Sequence, residues 1–171
     1  MALTEAVGTL MAAFERIAAT RMAGLPMNNP ALHVAAVGFR PWQEEYLAGV
    51  LITPWTINLM LLGDKTSNDL HLTADCRRTW DFPSGSYDFM GGEEPECGAF
   101  QFCSLFSPAF EFSDQATAEA TGREIMDALL VGVPTGVVDE REAARFSGRS
   151  VMNVQTSRRV FLQGLFGAQK A

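Results

Sequence analysis

The sequence predicts an α+β domain: a mainly antiparallel sheet of five or six strands, with an N-terminal and a C-terminal helix packed on one face, plus a flexible C-terminal tail. Three observations predict it. Helical periodicity marks the first twenty or so residues and returns after residue 113. Short alternating apolar runs, separated by turn residues, fill the stretch between. After Gly132 the periodicity fades and Gly, Thr and charged residues take over.

The elements follow in order. Leu3, Val7, Leu10, Phe14 and Ile17 recur at steps of four and three, the spacing of one helix face, so a helix is expected over 4–22. Thr4 is placed to cap it, Arg16 and Arg21 to complement its C-terminal dipole, and Gly24 with Pro26 to end it. The turn-rich Met27-Asn28-Asn29-Pro30 leads into strands at 34–39, 46–53 and 55–62. In the third, Ile57, Leu59 and Leu61 share one face, and Thr56, Asn58 and Met60 the other. Pro54-Trp55 is the expected turn before it, because proline cannot donate to a central ladder. Strands at 78–82 and 87–90 flank Pro83-Ser84-Gly85-Ser86. A last strand, 97–106, carries Phe100, Phe102 and Phe106 on one expected face. Ser113 and Asp114 then open a second helix with Ala118, Gly122, Ile125 and Leu129 as its stripe, stopped by Gly132 and Pro134. The division is a domain at 1–131, a tether at 132–156 and a tail at 157–171.

Composition narrows the function. A chain of 171 residues, 47% hydrophobic, can bury roughly two thirds of its unfolded surface and needs no staple to fold. The net charge of −7 argues against nucleic acid as a partner. Cys76, Cys97 and Cys103 are odd in number and form no Cys-x-x-Cys pair, as expected in a reducing compartment. The longest apolar stretch, 47–62, is interrupted by polar residues and falls short of the roughly 20 needed to span a bilayer. With no charged start of a signal peptide, the expected location is the cytoplasm, without membrane insertion. No Gly-x-Ser-x-Gly elbow, phosphate loop or dinucleotide fingerprint is present, so no enzyme activity and no cofactor are expected. His33 and His71 lack zinc-site spacing.

The tail carries the most specific motif. Ser157-Arg158-Arg159-Val160-Phe161-Leu162-Gln163 matches the twin-arginine export signature except that Gln163 replaces the usual Lys. Two guanidiniums offer fixed donor forks to carboxylates, and Phe161 and Leu162 an apolar face beside them. The position is wrong for export, since such a signal stands near the N-terminus before an apolar stretch. A basic amphipathic tail is one reading; mimicry of a client's signal is the other.

Four blocks carry a resemblance. They are Asn28-Asn29-Pro30-Ala31-Leu32-His33-Val34, the run from Gly49 to Leu61, Phe82-Pro83-Ser84-Gly85-Ser86-Tyr87, and Cys103 to Phe112. Together with the closing Ser-Arg-Arg-x-Phe-Leu, they resemble the HybE/HupJ family of [NiFe]-hydrogenase assembly chaperones. Some relatives carry a fused rubredoxin domain, whose paired Cys-x-x-Cys motifs this sequence lacks. The resemblance implies a chaperone that holds the hydrogenase small-subunit precursor, and so twin-arginine export, until assembly is complete. The large subunit and other maturation factors are further implied partners. Alternatives are a scaffold bridging the two subunits, or an iron–sulfur maturation factor using Cys97 and Cys103.

The candidate partner-binding residues are Trp55, Glu93, Glu94, Ser157, Arg158, Arg159, Phe161 and Leu162. Trp42, Trp55 and Trp80 stand beside prolines or turns, where an aromatic either anchors a partner or packs into the core. Trp55, at a hairpin turn, is the best placed. Glu93, Glu94 and Glu96 form a loop cluster that is either a solvated face or a receiver of arginines from a client or from the tail. Ser157–Leu162 is expected to mask a client groove in the free protein, or to exchange with a neighbour's tail in a homodimer.

Overall fold

The computed structural model describes residues 2–66 and 68–131. The expected tether and tail, with Ser157, Arg158, Arg159, Phe161 and Leu162, lie outside the described residues.

Helix α1, Leu3–Ala19, buries Ala6, Leu10, Ala13, Phe14 and Ile17. It starts two residues after Met1, with Ala2 as an N-cap that offers no side-chain bond; Thr4 lies inside the first turn rather than capping it. Its C-terminal end is also earlier than expected. The Thr20 hydroxyl donates to the Arg16 carbonyl at 2.6 Å, and Gly24, at φ 71°, carries the chain away.

Six strands follow: β1 Ala35–Trp42, β2 Tyr46–Ile52, β3 Ile57–Leu62, β4 Arg77–Phe82, β5 Gly85–Glu94 and β6 Gly98–Phe106. All pair antiparallel in the order β1-β2-β3-β6-β5-β4. Two three-stranded meanders are thus zipped together by β3 and β6. The expected Pro54-Trp55 turn is present, closed by a Thr53 N–H to Thr56 carbonyl bond of 2.9 Å.

Strand β5 runs four residues beyond its expected end and takes in Glu93 and Glu94, which the sequence placed in a loop. The glycines between explain the extension. A Cβ on Gly91 would stand 2.6 Å from the Leu72 carbonyl oxygen, and one on Gly92 2.4 Å from the Phe100 ring. Only glycine lets those neighbours close over the strand. Phe106 also departs from expectation. A register shift sets it opposite Ile57 and moves it off the face of Phe100 and Phe102.

Helix α2, Gln115–Leu129, opens as expected at Asp114, whose carboxylate accepts the Thr117 N–H at 2.7 Å. That bond holds the Asp114 carboxyl below its ordinary range.

The two helices do not share a face. Leu47, Leu51, Met60, Leu62 and Phe100 form a core with α1, whereas Gly122 of α2 sits over Val37 and Val50. Leu51 and Val50 are consecutive in β2 and point to opposite sides. The expectation of one covered face therefore fails for a physical reason: β3 is buried at every position and β2 from Leu47 onward, so both faces need a cover.

On the α2 side the sheet curls until its two edges meet. Trp42 of β1 stacks on Phe82 of β4 with ring centroids 4.4 Å apart and meets Trp80 edge-on at 5.4 Å. The Trp80 indole donates to the buried Gln101 side chain at 2.7 Å, and Gln101 in turn donates to the Leu70 carbonyl at 3.1 Å.

Candidate functional site

Asn29 organises one end of the sheet. It is 6% exposed, and every polar group it has is used. Its backbone N–H donates to the Pro54 carbonyl at 2.7 Å. Its side-chain amide donates to the carbonyls of Ala109 at 2.9 Å and Phe112 at 2.8 Å. Its Oδ1 accepts the Ala31 N–H at 3.0 Å. One buried residue, through its side chain and its backbone N–H, thus ties together the 28–34 segment, the Pro54-Trp55 turn and the stretch after β6. Gln115, at the start of α2, holds the same assembly by accepting the His33 N–H at 3.0 Å.

Around this frame apolar side chains stay in solvent. Phe110 is 55% exposed, Met27 45% and Leu25 37%. Trp55 is half-buried; it packs against the α1 core and leaves the rest of its ring at the surface. A shallow groove of about 400 Å³ runs between α1 and the 32–34 segment, lined by Glu15, Ala18, Ala19, Leu32, His33, Val34 and Pro54. Its walls are mostly apolar, with one carboxylate. Three nearby oxygens, Asn28 Oδ1, Thr56 Oγ1 and, inside β3, Asn58 Oδ1, are buried away from the surface and have no hydrogen-bond partner among the described residues. Apolar surface and a carboxylate on a rigid frame suit a peptide that brings a cationic donor and apolar side chains.

The acidic residues are differently committed. Arg16 forks between Glu96, at 2.6 Å, and Glu94, at 2.7 Å, and Arg21 bonds Glu94 as well. These hydrogen bonds pull the Glu96 carboxyl down to about 2 and raise the Arg16 guanidinium above its ordinary range. Glu94 is therefore taken up within the chain, and with Glu96 it staples α1 to the β5–β6 turn. Glu93 points elsewhere, exposed, with His71 Nδ1 at 3.6 Å. Sequence reasoning assigned Arg16 and Arg21 only to the helix dipole; their spacing of five gave no sign of a common target eighty residues away. In the sequence Asn29 stands only in a turn-rich stretch, with no sign of its buried bonds to Ala109 and Phe112.

The remaining candidates are packed. Trp42 and Trp80 are buried in the aromatic cluster. Burial and the nearby Glu94 and Glu96 push the half-buried Cys97 thiol up to about 11, the setting of an unreactive cysteine. Cys103 is buried and Cys76 exposed. Among the described residues no cluster of His, Cys, Asp and Glu could hold a metal ion, and no helix is long and apolar enough to cross a membrane.

Comparison with known proteins agrees with this architecture. The family model described as "[NiFe]-hydrogenase assembly, chaperone, HybE" matches residues 5–164. Protein HoxT of Cupriavidus necator is 43% identical over 129 residues, covering 68% of this chain and 71% of its own. The hydrogenase expression/formation protein HupJ of Bradyrhizobium diazoefficiens is 33% identical over 158 residues, 92% of this chain and 87% of its own. The solution structure of HybE from Escherichia coli shares the fold at a TM-score of 0.58 and 22% identity, covering 78% of this chain and 81% of its own. The chain belongs to the HybE family of [NiFe]-hydrogenase assembly chaperones.

Proposed function

We propose that this chaperone binds the precursor of the hydrogenase small subunit at the Asn29-organised end of its sheet, and so delays twin-arginine export until assembly is complete. One observation carries the reading: three sequence blocks far apart in the chain converge on one buried residue, and around it apolar side chains and a carboxylate stay available. Such a surface fits a twin-arginine segment. Guanidiniums meet Glu15, and the Phe-Leu pair meets the groove walls and the exposed part of Trp55. Glu93 offers a second carboxylate, while Glu94 takes part only if a client's arginine displaces Arg21.

In this reading the chain's own Ser157, Arg158, Arg159, Phe161 and Leu162 occupy the same surface when no client is present. A tether of about 25 residues holds such a segment near its target at roughly millimolar effective concentration. The protein works in the cytoplasm as a binding protein without catalysis, and the large subunit and other maturation factors join the client complex.

The test is titration of a fluorescent twin-arginine signal peptide into the full chain and into a version ending at Gln155. Tighter binding by the shorter protein is expected, together with loss of binding in both when Phe110→Glu is introduced. If neither protein binds the peptide, signal recognition is wrong and a subunit-bridging scaffold is the better account.

A further inference from the structure

Among the described residues strand β4 has an unpaired backbone edge, although Trp42 and Tyr46 cover its inner face at Trp80 and Phe82. Its six residues pair with β5 in unbroken register, from Arg77 opposite Met90 to Phe82 opposite Gly85, and its other side meets no strand among the described residues. The opposite edge, β1, is built differently. A register shift between Val37 and Arg40, Gly38 at φ 66° and Pro41 without an N–H all hinder strand addition there. On β4 none of these devices is present, and Arg77, Arg78, Thr79 and Asp81 are exposed.

Laid antiparallel against a second copy, the segment Arg77–Asp81 is its own complement. With Thr79 facing the second copy's Thr79, Arg77 faces Asp81 and Arg78 faces Trp80, each pair occurring twice. The pleat agrees: residues 77, 79 and 81 share one face, and 78 and 80 the other, as opposed residues in an antiparallel pair must. The Trp80 ring is buried in the aromatic cluster and carries the Arg78 guanidinium of its own chain 3.9 Å from its centroid, so the pairing rests on the charges and the threonines. Opposite charges and paired threonines are favourable cross-strand neighbours. We propose that β4 is a homodimer edge, through which two chains pair antiparallel about a two-fold axis at Thr79 to form one continuous twelve-stranded sheet.

An edge of five residues buries little area, so the dimer is weak and forms at roughly 10 µM to 1 mM chain. Sedimentation equilibrium of the full chain across that range, under reductant because exposed Cys76 adjoins the strand, should show monomer and dimer. Asp81→Arg sets like charges opposite each other twice and should weaken the dimer roughly ten- to hundredfold. Arg77→Asp should do the same, and the double variant should recover most of the loss. That recovery separates an interface effect from damage to the strand. Should the single variants unfold, amide exchange on the unaltered chain decides instead, with protection of residues 77–81 rising with concentration. A chain that stays monomeric throughout, or a dimer indifferent to the charge exchange, overturns the proposal. So does protection of the edge that is already complete in the monomer, which would mean the edge is covered from within the same chain.

Discussion

At the scale of single residues, Asn29 and the Arg16 fork show how one side chain sets the position of distant segments. Asn29→Ala strips donors from two carbonyls in a buried setting and should cost about 2–4 kcal/mol of stability by urea unfolding. Peptide binding should fall with it, because the 28–34 and 109–112 segments lose their common anchor. Unchanged stability would mean that the 28–34 and 109–112 segments are held together by something other than this side chain. Glu96 makes a pH-dependent prediction. Its carboxyl stands at about 2 in the fold against an ordinary 4.5, so its contribution is fully present above pH 4.5 and lost as pH falls toward 2. The difference in Tm between the protein and its Glu96→Gln variant should be constant above that range and vanish near pH 2. A difference that does not vary with pH would show that the ion pair to Arg16 contributes nothing measurable, which is common for exposed pairs.

Among elements, β5 is set by what its glycines admit. Gly91 lies under the backbone of Leu72, with no space for a side chain. Gly91→Val should therefore push the 70–72 segment away, weaken the Gln101 bond to the Leu70 carbonyl and cost about 1–3 kcal/mol. Amide exchange in that segment should accelerate more than in β2 or β3; equal acceleration everywhere would point to a global effect instead. The elements also show where local sequence is informative. Alternation in 57–62 and the 3.6-residue period in 115–129 assign type and face correctly, because each reports contacts within one element. The extension of β5 over Gly91-Gly92 and the flip of Phe106 depend on neighbours in other strands, so nothing local signals them.

For the whole molecule, the sheet is closed by side chains rather than by a backbone ladder. Trp42 and Phe82 come from opposite edges and stack. Trp42→Ala should cost about 3–5 kcal/mol in chemical unfolding, far more than its place on an edge strand suggests. A small loss would mean that the curl is held by α2 alone. The candidate site was only partly legible in the sequence. The blocks that build it stood out as a family resemblance, yet their convergence on Asn29 was invisible, because residues 29, 54, 109 and 112 are joined only by the fold. The acidic cluster was visible too, but not that Arg16 and Arg21 had already claimed Glu94. By itself the sequence determined the content of the domain: two amphipathic helices, the turn at Pro54-Trp55, the cap at Asp114 and the family to which the chain belongs. Those follow from periodicity, turn chemistry and matching blocks, all of which are local or comparable along the chain. Only the tertiary structure decided that the helices lie on opposite faces, that β3 pairs with β6 and that the edges meet at Trp42. These outcomes are set by which apolar surfaces must be covered once the strands lie side by side, and no single segment carries that information.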